Sequence, residues 1–90
     1  MKILFSLLVV KKLKKIKQED KKLLKKIEKQ LILFKNNPIH PSLRIHKLTG
    51  KQEKAWSISV NMSIRMVYRL IDEGTAYFID IGTHDEVYRK

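Results

Sequence analysis

The chain contains no cysteine, which excludes disulfides and thiolate zinc centres. Its three histidines are scattered from His40 to His84 without the short spacing of a histidine metal motif, so no structural metal and no other cofactor is expected. Acidic residues are scarce, with 9 Asp and Glu against 20 Lys and Arg, for a formal net charge of +11. Such an imbalance points to a polyanionic partner, whether RNA, DNA, an acidic protein or an anionic membrane surface. Long hydrophobic runs are missing too. The stretch from Ile3 to Val10 is too short to cross a bilayer and leads into lysines rather than a small-residue cleavage site. It reads as a strand that turns directly into a helix, not as a membrane span or a secretion signal. At 90 residues the chain has room for one small core, so a single domain over 1–90 is expected, without repeats or a linker.

What is present divides into a helical and a strand-forming half. Leu13, Ile16, Leu23, Leu24, Ile27, Leu31 and Phe34 recur at helical spacing, with lysines on the other face. Lys17-Gln18-Glu19-Asp20 interrupts this stripe and places acids where they favour the start of a new helix. The pattern predicts a helical hairpin, roughly 6–17 and 19–35, closed by Asn36-Asn37-Pro38. Ten of the sixteen lysines lie between Lys11 and Lys29. They form either a solvated helix face, a membrane-surface face, or a set of phosphate contacts that position RNA without reading its sequence.

Beyond Ser42 the period changes to two. A short strand is expected over Leu43 to Leu48. Trp56, Ile58 and Val60 alternate with Ser57, Ser59 and Asn61, and Ile64, Met66, Tyr68 and Leu70 alternate with Arg65, Val67 and Arg69. Asp72-Glu73-Gly74 marks a hairpin in which Gly74 is expected to take a positive φ, and a strand from Ala76 to Ile81 follows. The expected fold is α+β, with the N-terminal strand and helical hairpin covering one face of a twisted, mainly antiparallel sheet of four to five strands. The arginines are left on the opposite face.

Three residue types in this half suit RNA cleavage without a metal. That reaction needs a base for the 2′-OH, an acid for the departing 5′-oxygen, and a cation for the charge at phosphorus. Histidine titrates in the useful range, and the planar guanidinium grips phosphate bidentately. Arg65 stands on the polar parity of its strand, where it is either a phosphate ligand or a surface ion-pair partner. His84 follows Gly82-Thr83 directly after the last strand, His46 sits near Arg44 and Lys47, and Tyr88 is either a site aromatic or an edge of the core. His40, in Pro38-Ile39-His40-Pro41, reads as structural.

The ordered set Arg44-Ile45-His46-Lys47-Leu48-Thr49-Gly50, Arg65-Met66-Val67-Tyr68 and Gly82-Thr83-His84 resembles the RelE/ParE superfamily of toxin–antitoxin toxins, nearest the YafQ-like and RelE-like mRNA interferases. The likeness extends over essentially the whole chain. It implies a cytoplasmic, ribosome-dependent endoribonuclease that uses no metal and is held in check by a cognate antitoxin protein. His46, Arg65, His84 and Tyr88 match the family's catalytic positions. Arg65 would stabilise the transition-state charge, the two histidines would transfer protons, and Tyr88 would stack on a base or orient the phosphate. Arg44, Lys47, Lys51, Lys54 and Arg69 are the candidate RNA-binding residues. Two departures are visible. Ser59 and Ser63 occupy the segment where YafQ-like relatives carry a further histidine and an aspartate. Leu7 replaces a proline common at the first strand-to-helix junction, which predicts a less sharply defined turn. A gyrase inhibitor on the same fold, or an inactive protein that only binds RNA or antitoxin, are the alternative functions.

Overall fold

The computed structural model describes residues 1–48 and 54–88. Strand β1 (Lys2–Phe5) leads into helices α1 (Leu7–Glu19) and α2 (Lys21–Asn36). A 3-10 turn at Pro41–Leu43 precedes β2 (His46–Lys47), followed by β3 (Ala55–Ser59), β4 (Ile64–Asp72), β5 (Thr75–Thr83) and a short α3 (His84–Tyr88). The sheet order is β1-β5-β4-β3-β2, with β1 parallel to β5 and the other pairs antiparallel.

The hairpin forms where the apolar period places it, one or two residues later than expected. Asp20 alone makes the corner: its N–H donates to the Ile16 carbonyl, ending α1, and its Oδ1 accepts from the Leu23 N–H, starting α2. The first junction is sharper than the missing proline suggested. Ser6 caps α1 by accepting from the Val9 N–H at 3.1 Å and donates to the Ile79 carbonyl, which pins the turn to β5.

Val9, Ile27 and Phe34 of the helices meet Ile58, Met66, Tyr68, Phe78 and Ile81 of the sheet in the main core. The Phe34, Tyr68 and Phe78 rings contact one another at centroid distances of 4.9 to 5.5 Å, and this aromatic centre clamps α2 to β4 and β5. The opposite face differs from expectation. It is not left wholly to arginines, because Val87 and Tyr88 of α3 cover Leu48, Ala55, Val67 and Ile79 in a second, smaller core. Five residues with a single buried apolar side chain carry too weak a period to reveal α3 in the sequence.

Two local expectations are corrected. The strand expected over Leu43 to Leu48 shrinks to His46–Lys47, because the 3-10 turn and Arg44 (φ 46°, ψ 54°) occupy its first part. His40 caps that turn, with Nδ1 accepting from the Ser42 N–H at 3.1 Å, in keeping with its structural reading. The β4–β5 hairpin has a two-residue loop, Glu73-Gly74, with the irregularity displaced into the strand between Leu70 and Asp72. The bulge takes up the twist, and Gly74 does not adopt the left-handed conformation expected of it. Among the described residues, no helix is long and apolar enough to cross a membrane.

Candidate functional site

The face of the sheet away from the α1–α2 hairpin carries a cleft of about 330 Å³ lined by Arg44, Ile45, His46, Arg65, His84 and Tyr88. Its organising residue is Ser57, which the sequence reading did not single out. Register sets it opposite His46 on β2 and Val67 on β4, so it sits two residue pairs along the ladder from Arg65, whose own partner is Ser59, and on the same face of the sheet. Ser57 is fully buried. Its Oγ accepts from Arg65 Nε at 2.9 Å and bonds the Tyr88 hydroxyl at 2.6 Å. One oxygen thus ties an arginine of β4 to a tyrosine of α3.

Arg65 is held at a second point by donating from Nη2 to the Arg44 carbonyl at 2.7 Å. The left-handed backbone of Arg44, a conformation that costs a non-glycine residue about 1 kcal/mol, turns this carbonyl toward Arg65 and leaves the Arg44 side chain in the cleft lining. Among the described residues Nη1 of Arg65 carries no protein bond, so the guanidinium is fixed in place with a donor to spare for an anion. Among the described residues no carboxylate lines the cleft.

The histidines flank Tyr88. The His84 ring stands edge-on to it at 4.1 Å, and the His46 ring lies at 6.4 Å. His84 opens α3, and its position depends on a capping box absent from the sequence reading. The Thr83 N–H donates to Glu86 Oε1 at 2.7 Å, and the Glu86 N–H donates back to Thr83 Oγ1 at 3.3 Å. The backbone N–H of Thr83, then its hydroxyl, hold the Glu86 carboxyl below its ordinary pKa. Gly82 is needed for this box, since a Cβ there would lie 2.9 Å from Glu86 Oε1. Thr83-His84-Asp85-Glu86 has the capping-box pattern, which was the signal available for finding α3. Asp85 lies 3.7 Å from His84 Nδ1, with both side chains open to solvent.

The structure therefore brings together all four expected catalytic residues, His46, Arg65, His84 and Tyr88, with Arg44 beside them. It does not bring Lys47, Lys54 or Arg69 into the cleft lining. Lys47 lies on the opposite strand parity from His46, with Nζ 5.6 Å from the centre of the Trp56 ring. Lys54 is exposed in the turn just before β3. Arg69 is four residues along β4 from Arg65, roughly 13 Å at the usual rise of a strand. Lys51 lies outside the described residues. Ser59 and Ser63 serve the β3–β4 turn instead: Ser59 Oγ donates to the Asn61 carbonyl, and the Ser63 N–H donates to Asn61 Oδ1.

Comparison with known proteins places this geometry. The family model described as bacterial toxin of type II toxin–antitoxin system, YafQ, matches residues 1–89. No curated protein matches the chain. Among solved structures, a YoeB/ParE toxin from Agrobacterium tumefaciens superposes with a TM-score of 0.80 at 22% identity, covering 93% of this chain and 99% of that one. YafQ from Escherichia coli gives 0.78 at 20% identity, covering 96% of each chain. The heterotetrameric YoeB–YefM toxin–antitoxin complex from Staphylococcus aureus gives 0.77 at 26% identity, covering 93% of this chain and 97% of that one. These likenesses establish the RelE-like fold over nearly the whole chain. The family match extends to all but one of its residues, and the chain accordingly belongs to the YafQ family of toxins of bacterial type II toxin–antitoxin systems.

Proposed function

We propose that this toxin is a ribosome-dependent endoribonuclease that cuts messenger RNA in the Arg65 cleft without a metal. The observation that carries this reading is the convergence of Arg65, His46, His84 and Tyr88, from three separate parts of the chain, on one electropositive cleft. In the reaction one histidine takes the proton of the 2′-OH as the 2′-oxygen bonds to phosphorus. The P–O5′ bond breaks, and the other histidine protonates the departing oxygen. The products are a 2′,3′-cyclic phosphate and a 5′-hydroxyl. Arg65, already immobilised by Ser57 and Arg44, faces the charge at phosphorus without reorganising. Tyr88 offers its ring to a base, with its hydroxyl anchored behind it. The four side chains of His46, Arg65, His84 and Tyr88 suffice for these roles, so Ser59 and Ser63 need not act.

The toxin works in the cytoplasm, where its substrate is found, and is neutralised by a cognate antitoxin. Staphylococcus aureus YoeB and Escherichia coli YafQ are each found in complex with an antitoxin, YefM and DinJ respectively. The test is addition of the purified toxin to ribosomes programmed with a defined mRNA, followed by mapping of new 5′-hydroxyl ends. New ends that vanish with Arg65→Ala/His84→Ala are expected. If no ends form, the nuclease reading is wrong, and cleaved-DNA complexes with gyrase would replace it with the gyrase-inhibitor reading.

A further inference from the structure

The cleft does not end at Arg44. The same residue lines a second groove of about 510 Å³ with Lys26, Lys29, His40, Ser42 and Met62. Lys26 in turn lines a third hollow of about 440 Å³ with Lys22, Leu23, Asn61 and Ile64. Shared lining residues thus join three depressions into one track running from the Arg65 cleft between α2 and the β3–β4 turn. Lys22, Lys26 and Lys29 fall on one face of α2, offset by about 6 Å and 10 Å along its axis at the helical rise. The floor is rigid: the Gln30 amide, buried beneath, donates to the Ser59 carbonyl at 2.8 Å and to the Ser42 carbonyl at 3.4 Å. Met62 is fully exposed at the rim. Among the described residues the sole acid on the lining of these two grooves is Asp20, at the far end, where it caps α2.

We propose that this track binds an extended single strand of RNA several nucleotides long, with successive phosphates on Arg44, Lys29, Lys26 and Lys22 and the strand leading into the Arg65 cleft. Three lysines on a regular helical row match a repeating anion, and a groove open along its length suits an unpaired strand whose bases face solvent. This assignment deepens the nuclease reading by naming the extent of the substrate, and it rests on that reading for the direction of the strand only. The lysine row is also what separates this part of α2 from the many other lysines of the hairpin: these three share a groove with a cleft residue, whereas Lys11, Lys14 and Lys15 line none of the three depressions.

The experiment is a binding titration with fully 2′-O-methylated oligoadenylate, which cannot be cleaved, as a trimer and as an octamer over a range of salt. Wild-type toxin is compared with Lys22→Ala/Lys26→Ala/Lys29→Ala and with Lys11→Ala/Lys14→Ala/Lys15→Ala, which remove the same charge; matching melting curves confirm that both variants fold. The octamer is expected to bind wild type more tightly than the trimer. The groove variant should lose this gain, weaken roughly tenfold or more, and show a log–log salt slope shallower by about 2, since each phosphate contact on a single strand contributes about 0.7. Equal losses in the two variants, or no dependence on length, would overturn the track. Oligoglutamate bound as tightly, with the same loss in the groove variant, would reassign it to an acidic protein segment. Binding along the track without cleavage on ribosomes would sink the nuclease reading alone. Ribosomal cleavage unchanged in the groove variant, with binding unchanged too, would sink the track alone.

Discussion

Replacing Ser57 by alanine removes one oxygen atom from the molecule and tests the site's architecture more sharply than deleting any side chain that lines the cleft. That oxygen is the shared partner of Arg65 Nε and the Tyr88 hydroxyl, and it is fully buried, so alanine fills nearly the same space and leaves no cavity. A hydrogen bond to a charged group contributes about 1.5–3 kcal/mol, and a neutral one about 0.5–1.5 kcal/mol. Arg65 keeps its bond to the Arg44 carbonyl, and both Arg65 and Tyr88 are half-buried and reach water, so the net loss should fall at about 1–3 kcal/mol. In a domain of this size that lowers Tm by roughly 4–8 °C for each kcal/mol. The assay is thermal unfolding followed by circular dichroism for Ser57→Ala, Tyr88→Phe and the double variant, with ribosomal mRNA cleavage measured in parallel. The double variant should fall short of the sum of the single ones by at least about 0.5 kcal/mol, because each single change already breaks the shared bond. Cleavage should drop chiefly in kcat, since a guanidinium no longer held at two points must be ordered during the reaction. A variant that melts within a degree of wild type, with fully additive effects, would refute the claim that Ser57 positions the site.

Four further outcomes follow from other parts of the molecule. Gly82→Ala places a Cβ 2.9 Å from Glu86 Oε1, so the capping box opens; melting should fall by a few degrees and cleavage by more, and Glu86→Ala should reproduce both, whereas an unaffected rate would detach His84 from the box. The Glu86 carboxyl is held below its ordinary pKa by the Thr83 N–H, so the stability it adds is complete above the ordinary glutamate range and fades as pH falls through the lowered folded value, a fading that Glu86→Gln should abolish in acid melts. Burial pushes the Tyr68 hydroxyl up to about 12; because the folded value is the higher one, stability is intact below pH of about 10 and should decline above it by up to about 2–3 kcal/mol, a decline that Tyr68→Phe removes in alkaline denaturation. Lys12 donates to Asp80 Oδ1 at 2.7 Å and to the Ile81 carbonyl at 3.0 Å. Lys12→Met, which removes one partner of the buried carboxylate, should therefore lower stability in urea unfolding, while adding Asp80→Asn should recover part of the loss.

The helical half was legible almost residue by residue, because burial on one helix face leaves a period that nothing else imitates, and Asp20 carried its capping chemistry in its side chain. The alternation of β3 and β4 was equally plain, and with it the parity of Arg65. The individual chemistry of His46, Arg65, His84 and Tyr88 was also readable, since proton transfer and anion binding are properties of the side chains themselves. Other features depended on register, which sequence alone leaves open. Only the pairing of β2, β3 and β4 sets Ser57 beneath Arg65 and opposite His46, making a bland strand serine the hub of the cleft. The same register turned Lys47 toward Trp56 and carried Arg69 away along β4. Arg44's left-handed backbone and the short α3 were equally hidden, one being a conformation few sequences announce, the other too brief for a period. Composition and periodicity thus determined a basic α+β domain and the groups able to do chemistry. Tertiary structure decided which of those groups meet, because a one-residue shift in strand pairing moves every side chain to the other face of the sheet.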